Sequence, residues 1–238
     1  KDQTVLVAKY FLDHFSWEIL FGKESPKNKQ DQLAYKYCTQ ALEVFAVFDR
    51  LCRYEVYFAE FLPSKKTGIS ESEALEYHLR NYVQEFYILR ERVQKIVRDL
   101  KDDLPNYQIS STKDVEKTLN HIADNIDRIF KEINDKLRRS HVHERSLSDF
   151  VLVKGKFLAS ILSGEVQIPE GMALDMNKVK EEYERTLNIS KERYAKNAAH
   201  NSDGLKKAKQ FFAARFGYIF ASLNGHDGSV FDMKAGLQ

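Results

Sequence analysis

Apolar residues recur along this chain at spacings of three and four, the period of a helix with one buried face, and rarely in the two-residue alternation of a strand. From about Asp2 to Phe21, Val5, Ala8, Leu12, Phe15 and Ile19 form one stripe, which Gly22 and Ser25-Pro26 end. From about Gln30 to Leu62 a longer helix carries Leu33, Tyr37, Ala41, Val44, Phe48 and Leu51, then Tyr54, Tyr57, Phe58 and Phe61, with Pro63 and Gly68 as terminators. The helical spacing of these aromatic residues predicts core packing rather than base stacking. Ser70 and Glu73 have the spacing of a capping box, and the helix they open carries Leu79, Tyr82, Val83, Phe86, Leu89, Val93, Ile96, Val97 and Leu100 until Pro105.

A fourth helix starts at Ser111 or Thr112 and keeps Val115, Leu119, Ile122, Ile126, Ile129, Ile133 and Leu137 on one face. Ser146 to Leu162 is predicted helical, with Gly155 weakening its middle. Asp175 to His200 has only a thin stripe, Val179, Tyr183, Leu187 and Tyr194, which predicts a peripheral helix. Asn201 to Gly204 is expected to break the chain before a last helix, Leu205 to Leu223, whose Phe211, Phe212, Phe216, Ile219 and Phe220 belong to a core. Ser163 to Asp175 reads as a linker, and no repeat of fixed period appears. The pattern thus predicts an all-α protein, an antiparallel bundle of about seven helices framed by the second, third and fourth. The expected organisation is a helical bundle over 1–165, a C-terminal helical pair over 175–223 on the same or an adjacent core, and a glycine-bearing mobile tail over 224–238.

With 238 residues, 43% of them hydrophobic, and only 4 prolines and 10 glycines, the chain can fill a sizeable core and is not disordered throughout. A net charge of +2, from 37 basic and 35 acidic residues, provides no global field toward nucleic acid or an anionic membrane. Any such binding must be local, and Lys178 to Arg215, with ten basic residues against fewer acidic ones, reads either as a weak RNA-binding face or as a solubilising surface. Cys38 and Cys52 fall in one predicted helix, roughly 21 Å apart along its axis, which excludes a disulfide between them. No signal-peptide pattern opens the chain, and no apolar run approaches the roughly 20 residues that span a bilayer. A reducing cytoplasm, with no membrane contact, is the expected setting.

Chemistry concentrates in Leu137-Arg138-Arg139-Ser140-His141-Val142-His143-Glu144-Arg145, where the fourth helix runs out. Arg138 and His143, with four residues between them, resemble the motif of the HEPN superfamily, compact helical domains many of which are metal-independent ribonucleases. In that family the first intervening residue is usually small and polar, often asparagine; here it is Arg139. Val142 before the histidine, Glu144 after it and the long amphipathic helices upstream also look like members, so the resemblance covers about Gln30 to Leu162. The family's gap is four to six residues, so Arg193 and His200, with six residues between them, match the spacing too, but lie inside a predicted helix.

Residues five apart on a straight helix point about 140° away from each other. Arg138 and His143 therefore converge only if the helix bends near Ser140, which Ser140 and Ser146 permit as caps. The resemblance then implies an RNA endonuclease of a toxin, phage-defence or stress system, in which His143 moves the proton and Arg138 holds the phosphate. Histidine exchanges protons near neutral pH, and a guanidinium offers paired donors to phosphate oxygens. Arg139, His141 and Arg145 become substrate contacts, with Glu144 at the substrate or orienting an imidazole. Family members usually pair two motifs across a dimer interface, which implies a homodimer as well as RNA as partner.

The competing interpretation is that Arg138, Arg139 and His141 only complement the carbonyl end of a helix. The chain is then a non-catalytic module that binds a protein partner or a nucleotide. A metal site from His141, His143 and Glu144 is disfavoured, because residues two apart diverge on a helix, and no cofactor is expected. His14, His78, His121 and His226 stand alone. Glu181-Glu182 and Asp102-Asp103 read as solvated surface, and no glycine-rich phosphate loop, zinc-type cysteine pair or serine elbow is present.

Overall fold

A computed structural model describes residues 2–20, 22–60, 68–107, 112–141, 150–169, 173–225 and 228–235, without the side chains of 17, 30 and 132–141. Among these residues the regular structure is helical, with no strand, so the chain is all-α. The segments are α1 (Gln3–His14), α2 (Trp17–Leu20), α3 (Lys29–Cys52), α4 (Tyr54–Glu60), α5 (Glu71–Asp103), α6 (Thr112–His141), α7 (Phe150–Leu162) and α8 (Met176–Leu223). Short 3-10 turns cover Leu104–Asn106 and Gly228–Val230.

Side-chain caps open four of these helices. The Asp2 carboxylate accepts from the Thr4 amide at α1. Asn28 and Asp31 bond reciprocally at α3, the Asp31 amide donating at 2.7 Å and the Asn28 amide group at 2.6 Å. At α5 the expected capping box is present: the Ser70 amide donates to Glu73 Oε2 at 2.8 Å and the Glu73 amide to Ser70 Oγ at 3.2 Å. The Asp175 carboxylate takes the Asn177 amide at 3.0 Å to open α8. Gly164, at φ 78°, closes α7 in a conformation that only glycine adopts without strain.

Three boundaries differ from the hydrophobic pattern. The first helix is divided at Phe15, whose extended backbone (φ −112°, ψ 140°) puts a buried ring in edge contact with Phe11 and Tyr35. Arg53 interrupts the second, separating α3 from α4. Asn201 to Gly204 does not break the chain; α8 is continuous through it. Anchors flank Gly204 there: Asn201 Nδ2 donates to the Tyr82 hydroxyl at 3.1 Å, Ser202 is buried, and Leu205 is buried on the other side. These contacts offset the roughly 1 kcal/mol that a mid-helix glycine costs relative to alanine.

The chain divides into two compact units, one of Lys1–Arg50, Phe86–Lys131 and Asp203–Gln238, the other of Leu51–Glu85 and Glu132–Ser202. The first unit has an aromatic core. Phe212 and Phe216 of α8 meet Phe48 and Phe45 of α3 at centroid distances of 5.7 and 6.5 Å, and Phe216 stacks on Phe220 at 6.0 Å. Val93, Ile96, Val97 and Leu100 of α5 and Val115, Leu119, Ile122 and Ile126 of α6 are also buried, as their periodicity requires. The described part of the tail is packed rather than loose. Phe231 is buried over Gly217, where a Cβ would run into its ring, and the Asp232 amide donates to Gln3 Oε1 at 3.1 Å.

The second unit has its own aromatic centre and a close contact at Gly155. Tyr54 and Phe58 of α4, Tyr82 of α5 and Tyr194 of α8 form this centre, at centroid distances of 4.9–5.8 Å, which makes Tyr54 and Phe58 of the predicted aromatic end core, while Tyr57 is half-buried and Phe61 lies outside the described residues. Gly155 does not merely weaken α7: a Cβ there would stand 2.7 Å from Ser72 Oγ and 3.7 Å from Thr186. The thin stripe of α8 is extended by buried Thr186, Ser190 and Ala198. Small and hydroxyl-bearing residues thus bury that face as effectively as large ones, which an apolar count alone does not reveal.

Candidate functional site

The Arg-rich junction is positioned by α6. Buried Val115, Leu119, Ile122 and Ile126 fix the rotation of that helix, while Asp114, Asp124, Asp127 and Arg128 lie off the buried stripe. Asp127 accepts from Arg90 Nε and Gln94 Nε2 of α5, both at 2.8 Å, and Arg90 lies 4.9 Å from the Phe130 ring centroid. The helix continues through Ser140 to His141. Arg138 therefore stands in its last turn, where the carbonyl end favours cations, and His143 follows its last residue by two positions.

Arg138, Arg139 and His141 have described backbone only; His143, Glu144 and Arg145 lie outside the described residues, as does His226. The junction links α6 to α7, and residues 132–162 all belong to the second unit.

The second match to the motif is described in full and is not assembled as a site. Arg193 and His200 are two turns apart on uninterrupted α8, about 10 Å along its axis. Arg193 lies 5.0 Å from the Tyr194 ring centroid and donates to the Tyr194 hydroxyl at 3.0 Å, while His200 is exposed. Of the other described histidines, His14 and His78 have structural surroundings. His14 Nε2 is 3.5 Å from Asp31 and its ring packs on Tyr10 and Phe15; His78 stacks on Tyr57; His121 is exposed. Among the described residues no group of three or more His, Cys, Asp or Glu stands together as metal ligands, and no helix is long and apolar enough to cross a membrane.

Charge in the second unit is organised around α7. Lys156 donates to Glu76 at 2.8 Å, and Arg80 holds the same carboxylate. Burial alone would raise the Glu76 pKa, but the hydrogen bonds from Lys156 and Arg80 bring it below the ordinary value. Lys154 bonds Glu182, which Arg185 also clasps through Nε and Nη2, both at 2.9 Å. These bonds, Arg185 first, hold the Glu182 pKa down at about 2. Between the two lysines α7 leaves Phe150, Val153 and Phe157 exposed, Phe150 at 79%. Phe157 and Ile69 border a groove of about 480 Å³ beside the Ser70–Glu73 cap.

In the first unit Tyr37 donates to Asp103, which also meets Lys36 at 3.3 Å. The Tyr37 hydroxyl, with Lys36 beside it, lowers the Asp103 pKa, whereas burial and then Asp103 raise that of Tyr37. Sequence reading missed Arg215. It is only 5% exposed and lies 3.5 Å from the Phe211 ring centroid, and burial pushes its pKa down to about 10. The signal was available, since Arg215 is the sole charge in the otherwise apolar run Phe211–Leu223. Comparison with known protein families, characterised proteins and solved structures found no match to this chain.

Proposed function

We propose that this chain is a HEPN-like, metal-independent RNA endonuclease working as a homodimer in the cytoplasm. One observation supports this: the backbone of Arg138 lies in the last turn of a long amphipathic helix in an all-α fold, and His143 follows that helix by two positions in the sequence, before α7 begins. Cleavage requires the ribose 2′-oxygen to attack the neighbouring phosphorus while the 5′-oxygen leaves. The products are a 2′,3′-cyclic phosphate and a 5′-hydroxyl. His143 transfers the proton at one of these oxygens, and its two-fold mate serves the other. Arg138 neutralises the crowded phosphate with paired N–H donors, and Arg139, His141, Glu144 and Arg145 line the RNA.

The test is cleavage of a labelled RNA by the purified chain in excess EDTA. Wild type should cut and leave cyclic-phosphate ends, while His143→Ala and Arg138→Ala should each lose about 100-fold or more with an unchanged melting temperature. Wild-type protein that is folded yet leaves RNA intact removes the nuclease. A non-catalytic module that docks a protein partner then takes its place, a reading favoured by the exposed Phe150, Val153 and Phe157 on α7.

A further inference from the structure

Among the described residues the buried guanidinium of Arg215 is incompletely satisfied. Nη2 donates to the Met233 carbonyl at 3.1 Å and Nη1 to the Phe211 carbonyl at 3.4 Å, while Nε has no acceptor among the described residues. No carboxylate among the described residues stands within ion-pair distance, so a full positive charge is buried against two carbonyl oxygens and a phenyl face. Nε and Nη2 form one edge of the guanidinium, the edge that a carboxylate spans with two parallel hydrogen bonds. The strap gives that edge a single oxygen.

Two residues before Met233, Phe231 fills the notch over Gly217, and Gly228 is held close to the Tyr218 ring, where a Cβ would stand 2.7 Å away. Met233 lies between Asp232 and Lys234, which border a groove of about 670 Å³ together with Asp2, Lys206 and Lys207. Its three lysines exceed its two carboxylates, and Lys206 is shared with Asp203 at 3.6 Å.

We propose that this surface of α8 is a receptor for a protein C-terminus: an extended segment with a free α-carboxylate at the place of Met233 and an aromatic residue two positions earlier, which displaces the strap 228–235. The incoming carboxylate keeps the bond that the Met233 carbonyl makes and adds the oxygen that Nε lacks. The aromatic residue takes the Gly217 notch, and the neighbouring lysines favour the added negative charge. The strap is thus an internal competitor with the right shape and one charge too few. Peptide capture through a terminal carboxylate is an established mode of recognition, and it is independent here of any cleavage by the Arg138–His143 corner.

The probes are two fluorescein-labelled peptides of residues 228–233, one ending in a free carboxylate and the other in a carboxamide, titrated by fluorescence anisotropy into the full chain. With Phe231→Ala, which loosens the strap, the acid should bind about tenfold more tightly than the amide, the margin of one charge-assisted hydrogen-bond pair. Wild type should show the same preference at weaker affinity, because its own strap competes, so a poorly folding Phe231→Ala chain does not rescue the idea. Arg215→Met should erase the preference. Equal binding of acid and amide, or no binding of either to folded wild type and folded Phe231→Ala at millimolar peptide, overturns the proposal.

Discussion

One helix is buried in two different ways. Over Asp203–Leu223, in the first unit, α8 presents Phe211, Phe212, Phe216 and Phe220 to an aromatic core. Over Met176–Ser202, in the second unit, the same helix presents Val179, Thr186, Leu187, Ser190, Tyr194 and Ala198, and its flanks carry Glu182 and Lys191 bonded to α7 and α5. The first arrangement draws its stability from apolar area, which is large and indifferent to pH. The second draws more on close approach and on hydrogen-bonded charge, which depends on shape at one or two atoms and on protonation. Helical continuity therefore says little about what holds each half in place.

The comparison breaks most sharply at Phe212, which is fully buried and packs on Phe48, Phe211 and Phe216. Phe212→Ala should cost about 3–5 kcal/mol, the sum of lost transfer energy and an unfilled cavity. Urea melts followed by circular dichroism measure this. A loss below about 1 kcal/mol would mean that the aromatic stack of the first unit contributes little beyond its neighbours.

In the second unit the equivalent test is steric. Gly155→Ala gains about 1 kcal/mol of helix propensity but brings its methyl group to 2.7 Å from Ser72 Oγ, so a net destabilisation of about 1–2 kcal/mol is expected. Ser72→Ala removes the offending oxygen and leaves only the Ser72 Cβ position, 3.5 Å away. In that background Gly155→Ala should become neutral or stabilising. A double-mutant cycle with no coupling between the two sites would show that α7 does not depend on this approach.

What the sequence made legible follows the same division. The four long apolar stripes of α3, α5, α6 and the last part of α8 repeat at helical period, and the capping box at Ser70 is local, so all of these could be read without tertiary information. The continuity of α8 could not be, because Asn201, Ser202 and Gly204 form a breaker cluster whose override depends on Tyr82 and other groups distant in sequence. Gly155 had the same ambiguity: a glycine that weakens a helix and one that admits a neighbour look alike until Ser72 is placed. At the candidate site, the type and spacing of Arg138 and His143 and their place at a helix end were legible. Their relative placement depends on the chain just beyond His141, which lies outside the described residues. Arg215 was missed because its acceptor, the Met233 carbonyl, is a backbone group in a segment whose glycines suggest a loose tail.

Acid should separate the units next. Glu76 and Glu182 both have depressed pKa values in the folded chain, so their bonds stabilise fully above the unfolded value of 4.5 and are lost as pH falls through the folded values, about 2 for Glu182. Asp103 in the first unit follows the same sign, yet its neighbours on α3 and α5 retain the apolar core when it protonates. Between about pH 4.5 and pH 2, amide hydrogen exchange in α7 should accelerate before exchange in residues 211–220 of α8. Simultaneous loss of protection in both segments would show that the charged bonds of the second unit do not govern its opening.

The smallest effect expected is at Lys191, which joins α8 to Glu71 at the start of α5 with a 3.0 Å bond. Glu71 is more than one-third exposed, so screening and the entropy of two long side chains leave the pair a contribution of about 0–1 kcal/mol. Lys191→Met keeps much of the aliphatic stem and should lower stability by no more than about 0.5 kcal/mol, less still at 1 M salt. Glu71→Gln alone should have a comparably small effect, and the double variant should match the sum of the two within error if the pair is only a surface tie. A coupling above about 1.5 kcal/mol would make this bond a principal brace between the ends of α5 and α8, and would shift the balance in the second unit from close approach toward charge.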